Sequence, residues 1–105
     1  MSNQNTVSYP ISFVEVTMYT GPYQTNNNNI VTTIVYGLSN TVYRAIVRFY
    51  DMPYEKIPGN SRYGTDYNVG FPLSALGGFL AMVEKKSVVF NYDNYNNHAT
   101  FKIAL

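Results

Sequence analysis

Apolar residues recur along this chain in short runs with a period of two, broken once by a longer run with a helical period. Tyr9 to Tyr19, YPISFVEVTMY, sets Phe13, Val14, Val16 and Met18 among β-branched and aromatic residues, which predicts a first strand. Ile30 to Leu38, IVTTIVYGL, predicts a second, and Val42 to Asp51, VYRAIVRFYD, a third. Ser39-Asn40 between them marks a tight turn, so these two are expected to form a hairpin. Asp66 to Phe71 predicts a short fourth strand. Leu73, Leu76, Leu80 and Val83 then fall on one stripe, widened by Phe79 and Met82, of a helix that opens at Pro72, where a missing N–H costs nothing, and closes at Glu84, Lys85 and Lys86. Ser87 to Tyr92 predicts a fifth strand and Ala99 to Leu105 a sixth, with Phe101, Ile103 and Leu105 alternating against Thr100, Lys102 and Ala104.

Polar and turn-forming stretches separate these elements. The N-terminus, MSNQNTVS (residues 1–8), is expected to be frayed. TGPYQTNNNN, Thr20 to Asn29, reads as a flexible loop. MPYEKIPGNSRYG, Met52 to Gly64, holds two prolines and two glycines and reads as a long loop. DNYNNH, from Asp93 to His98, reads as a turn. The predicted order is β-β-β-β-α-β-β in a single domain over residues 1–105, an α+β class with an antiparallel, twisted sheet and one helix across it. Gly77 and Gly78 lie inside that helix, where each costs about 1 kcal/mol relative to alanine. The expected compensation is close approach of another backbone, in which case Gly78→Leu would destabilise or dissociate the protein.

Composition narrows the chemistry. The 105 residues include no cysteine and one histidine, His98. Disulfides, thiolate metal sites and cysteine nucleophiles are excluded, and a zinc site would lack ligands. Neither a Gly-x-Ser-x-Gly elbow nor a phosphate-cradling glycine loop is present. Nothing in the spacing of the carboxylates brings two together, so no catalytic residue, metal or cofactor is predicted and an enzyme is not expected. The N-terminus has no signal-peptide pattern, and no apolar run is long enough to span a bilayer. A soluble, intracellular protein without membrane contact is expected. Charged residues make up 12% of the chain and the net charge is +1, against eleven tyrosines. Solubility is then expected to depend on assembly burying part of a weakly charged surface.

The third strand carries the strongest chemical signal. Alternation points Tyr43, Ala45, Val47 and Phe49 to the core and Arg44, Ile46, Arg48 and Tyr50 away from it. Two arginines and a tyrosine on one face form a candidate cationic, aromatic platform, because guanidinium groups pair phosphates and aromatic rings stack on bases. The following loop adds Tyr54, Lys56, Arg62 and Tyr63 in the same interleaved pattern. The bland alternative is a solvated sheet face with cross-strand pairs, such as Arg44 or Arg48 with Glu15.

The segment from Tyr67 to Leu105 resembles the helix-and-strand unit of the Whirly single-stranded-DNA-binding family. Phe71, Leu73 and Ser74 match the entry to the helix, Ala75 to Val83 the helix with its glycine, Val89 to Asp93 the following strand and Thr100 to Leu105 the last. The resemblance implies a ββββα unit, half of the family's repeated arrangement, and hence a homodimer or higher homo-oligomer. It also implies a sequence-tolerant binder of single-stranded DNA, with RNA as a further substrate. Arg44, Arg48, Tyr50, Tyr54, Lys56, Arg62 and Tyr63 are the expected binding residues. A different class of function fits the same composition: a structural, self-assembling component, viral in one version, or a small inhibitor of one protein target.

Overall fold

A computed structural model describes residues 6–18, 29–84 and 87–103, the side chain of Phe13 aside. The strands are β1 (Thr6–Met18), β2 (Ile30–Leu38), β3 (Arg44–Tyr50), β4 (Ser61–Tyr63), β5 (Asp66–Pro72), β6 (Val88–Asp93) and β7 (His98–Ile103). The helix, α1 (Leu76–Val83), follows a 3-10 turn at Leu73–Ala75, and a second 3-10 turn occupies Tyr54–Lys56. All seven strands join one sheet in the order β4-β5-β3-β2-β1-β6-β7.

This corrects the expected ββββα half unit with its antiparallel sheet. The sheet is mixed, since β3 and β5 run parallel while every other pair is antiparallel. Five strands precede the helix rather than four. A parallel pair needs a crossover of a dozen or more residues, and Asp51–Thr65 supplies it. That segment, read as a loop throughout, contains β4. Ser61, Arg62 and Tyr63 pair with Asn68, Tyr67 and Asp66 across a two-residue turn at Gly64-Thr65. Gly64 there has φ +62°, which glycine reaches without the steric cost a side chain would add.

The N-terminal expectation is also corrected. Thr6, Val7 and Ser8 belong to β1 and pair with Asp93, Tyr92 and Asn91. Residues 1–5 and most of the asparagine-rich loop lie outside the described residues. The hairpin of β2 and β3 forms as expected, with Asn40 at φ +62° in its connection.

β1 turns a corner. A register shift between Ile11 and Phe13 marks a bulge, and the inward-facing set changes from Val7, Tyr9 and Ile11 to Val14, Val16 and Met18. The sheet curls until its two ends meet over a single aromatic core. Tyr67 of β5 lies 4.8 Å from Tyr92 of β6, ring centre to ring centre, although three strands separate them in the sheet. Phe101 of β7 likewise reaches Tyr36 of β2 at 5.9 Å. At the rim, the Asn60 side-chain amide donates to the carbonyl of Asn97 at 3.2 Å, tying the crossover to the β6–β7 turn. Thr32 and Tyr36 bury hydroxyl groups for which no hydrogen-bond partner is present among the described residues. Burial also pushes the Tyr36 phenol well above its ordinary pKa.

α1 closes one mouth of this curl with most of the predicted stripe, Leu80 excepted. Phe79 is the buried residue, with Ala75, Leu76, Met82 and Val83 packed beside it, whereas Leu80 is exposed. Leu73–Ala75, expected within the helix, forms a 3-10 turn ahead of it. Pro72, expected in the first helical turn, ends β5 instead, paired with Tyr50.

The helix glycines meet no close neighbour. A Cβ added at Gly77 or Gly78 would find no atom within 4 Å outside its own helix, so the expected close backbone approach does not occur among the described residues. Gly77→Ala is therefore expected to stabilise the domain by about 1 kcal/mol, the difference in helix propensity. Urea denaturation checks this, and an unchanged or lowered midpoint counts against it.

Candidate functional site

β3, β4 and β5 present two faces, and the register of their pairing sorts the expected binding residues between them. Arg44, Ile46, Arg48 and Tyr50 pair with Asp66, Asn68, Gly70 and Pro72 on the outer face. Tyr63 and Ser61 join that face through Asp66 and Asn68. Arg62 pairs with Tyr67 and lies on the inner side, its guanidinium 5.2 Å from the ring centre of Tyr43 and 5.4 Å from that of Tyr67. There it caps the aromatic core by cation–π contact. The seven residues therefore do not form one surface.

The outer face is also less open than alternation suggests. Ile46 and Tyr50 are buried. The crossover returns over this face, and a Cβ placed on Gly70 would lie 2.9 Å from Ile57 Cγ2, 3.2 Å from the Pro58 carbonyl oxygen and 3.2 Å from Tyr50 Cε1. Asn60 Oδ1 accepts a hydrogen bond from the Gly70 N–H at 3.2 Å and pins the same segment. Tyr50 therefore lies under the crossover and offers no face for stacking. Burial raises its phenol pKa, with neighbouring Arg48 pulling in the opposite direction.

The two arginines of β3 differ in electrostatic state. Arg44 is paired: its Nε donates to Asp66 Oδ1 at 3.1 Å and its Nη2 to Asp66 Oδ2 at 3.2 Å, a bidentate arrangement in an exposed position. Arg48 is half-buried and donates through Nη1 to the Asn68 side-chain carbonyl at 3.0 Å. That partner is neutral, and no ion pair to Arg48 is present among the described residues. The alternative pairing of either arginine with Glu15 does not form; Glu15 sits across from Val35.

Arg48 forms one wall of a cleft of about 190 Å³ completed by Tyr50, Pro58, Gly59, Ser61, Asn68 and Gly70. A second hollow shares Pro58, Gly59 and Gly70 and is edged by Tyr54, Glu55 and Asn60. Tyr54 and Tyr63 are exposed, at 76% and 83%, and Lys56 is exposed on the 3-10 turn between them in sequence. The structure thus gathers Arg48, Tyr50 and Tyr54 about the Pro58-Gly59 segment. Ser61, Asn68 and Gly70 are cleft residues that sequence reasoning passed over. The alternation of Ser-Arg-Tyr against Asp-Tyr-Asn across Gly64 was the available signal for a hairpin that would bring them beside β3.

Among the described residues no helix is long and apolar enough to cross a membrane. No group of three or more metal-capable side chains is present among them either. No protein-family model, curated protein or solved structure matches this chain, so the reading of its function rests on its own geometry.

Proposed function

We propose that the protein binds single-stranded nucleic acid, DNA or RNA, through the outer face of β3–β5 and the crossover, with little preference for sequence. One observation carries the reading: the half-buried Arg48, its charge unbalanced, at the wall of a polar cleft. Burying a charge without a counter-charge is costly, and an anionic ligand removes that cost. A phosphate fits the donor set, since the guanidinium, the Ser61 hydroxyl and the exposed backbone of Gly59 surround the cleft. Tyr54 and Tyr63 are exposed rings on which neighbouring bases can stack. Lys56 adds a cation for which no ion pair is present among the described residues, while Arg44 and Arg62 are already committed to Asp66 and to the core tyrosines.

Fluorescence anisotropy with oligo(dT) and oligo(U) over a range of salt concentrations tests this. Arg48→Ala is expected to flatten the log–log salt slope by about 0.7, the contribution of one neutralised phosphate on a single strand. Tyr63→Ala is expected to cost about 1–3 kcal/mol of affinity at an unchanged slope. Arg44→Ala, which removes an already neutralised charge, should change the slope little. Absence of binding to both oligonucleotides at low salt would defeat the proposal.

A further inference from the structure

The sheet has a stepped outline. β6 and β7 lie beside only the first part of β1, where Thr6–Pro10 pairs with residues 93 to 89. Beyond that point Ile11–Met18 pairs with β2 alone, and its other edge has no strand partner among the described residues. An unpaired edge is a template for another strand. Of the devices that usually block such pairing, Ile11–Met18 has only the bulge at its start and one charge, Glu15, with no proline or lysine. Val14, Val16 and Met18 are 50%, 49% and 66% exposed, although they pair with Tyr36, Ile34 and Thr32, all buried. The core's apolar surface therefore runs out uncovered along this edge.

β7 is the second relevant edge. Ala99 and Phe101 face the core, and Ile103, on the same side, is 40% exposed. Ile103 pairs with Val88, and the next residue of β6, Val89, pairs with Pro10, so Ile103 stands at the inner corner of the step. Thr100 and Lys102 face outward and are exposed.

We propose that the step is filled by the β6–β7 hairpin of a second copy, related by a two-fold axis perpendicular to the sheet. The notch is two strands wide, which is the width of the hairpin that creates it. β7 is parallel to β1 within a protomer, because both are antiparallel to β6. The two-fold rotation reverses it, so each β7 meets the partner's β1 antiparallel, with both inner faces on the same side. One rotation makes both pairings, and the assembly closes at two chains.

The side chains select the register. With the partner's Ile103 opposite Val14, the partner's Phe101 falls opposite Val16 and the partner's Ala99 opposite Met18, all on the apolar face. On the outer face the partner's Lys102 falls opposite Glu15 and the partner's Thr100 opposite Thr17. A slip of one residue would turn Lys102 onto the apolar side, and a slip of two would part it from Glu15. Neither Glu15 nor Lys102 is in an ion pair within the chain among the described residues. About a dozen residues a side is fewer than the roughly 20–30 of a standard interface, so the dimer should dissociate on dilution.

The dimer does not rest on nucleic-acid binding, and sedimentation without nucleic acid tests it. The parent is expected to pass from one-chain to two-chain mass as concentration rises. Glu15→Lys and Lys102→Glu each set like charges opposite one another twice per dimer, and each should weaken dimerisation about tenfold. The double variant Glu15→Lys/Lys102→Glu restores opposite charges and should recover the parent's behaviour. Circular dichroism of the variants is expected to match the parent, since both side chains are exposed. A parent that stays at one-chain mass, an assembly that grows beyond two chains, a Glu15→Lys variant that dimerises like the parent, or a double variant that fails to recover would each overturn the proposal.

Discussion

Phe79→Ala is expected to remove about 3–5 kcal/mol of stability, a third or more of what a domain of this size commonly has. The ring is 6% exposed and is the contact through which α1 closes the curled sheet. It meets Phe101 at 5.0 Å, Phe49 at 5.4 Å, Phe71 at 5.5 Å and Tyr36 at 6.0 Å, residues of β7, β3, β5 and β2. Four strands that are not all neighbours in the sheet are thus joined through one side chain. Truncation forfeits the transfer energy of the ring and leaves a cavity where the eight-residue α1 meets the sheet. Phe79→Leu keeps much of the volume and should cost about 1–2 kcal/mol. Urea denaturation followed by circular dichroism distinguishes the two. A Phe79→Ala midpoint close to that of the parent would mean that α1 contributes little to closing the core.

Gly70→Val is expected to lift the crossover from the sheet and to cost about 1–3 kcal/mol, more if the segment cannot re-seat. Of the three atoms a Cβ would meet, Ile57 Cγ2 belongs to a side chain that can rotate. The Pro58 carbonyl oxygen is backbone, and Tyr50 is held beneath the segment. Relief therefore requires moving residues 57–59 outward, which also strains the Asn60 hydrogen bond to the Gly70 N–H. Limited trypsin digestion reads this directly, because Lys56 lies just before the displaced segment. The variant should be cut there faster than the parent while the sheet persists by circular dichroism. Ile57→Ala should offset part of the cost of Gly70→Ala, a coupling measurable in a double-mutant cycle. Equal digestion rates for the variant and the parent would show that the crossover is not seated on Gly70. Because the same segment walls the Arg48 cleft, Gly70→Val should also weaken oligonucleotide binding if that cleft is the site.

The candidate site was partly legible. Strict alternation along β3 put Arg44 and Arg48 on the face opposite Val47 and Phe49, and the register confirms that placement. The same alternation made Tyr50 look available, because a two-residue period knows nothing of a segment that returns seven residues later to cover it. The sequence pattern places Arg62 and Tyr63 in one cationic, aromatic loop. As neighbours in β4 they point to opposite faces, which becomes clear only once Ser61–Tyr63 is known to be a strand. Which arginine is neutralised depends on Asp66, a residue 22 positions from Arg44 that the parallel pairing brings alongside.

The sequence by itself determined the existence of most elements, since local periodicity and turn chemistry suffice for that. β2 falls where its β-branched run predicts, the β2–β3 hairpin forms, and Ala45, Val47 and Phe49 are core. What only the tertiary structure decided is how those elements are arranged. The parallel pairing of β3 with β5 depends on a crossover whose path is set by contacts such as Gly70 with Ile57 and Pro58, not by its own composition. Within the predicted stripe of α1, that Phe79 is buried while Leu80 is exposed depends on where the helix sits over the curled sheet. The bulge that turns β1 at Ile11 and Phe13 lets Val14, Val16 and Met18 stand on the core side of the sheet yet remain exposed. A hydrophobic pattern records which residues avoid water. It does not record which partner covers them, and that depends on the path of the whole chain.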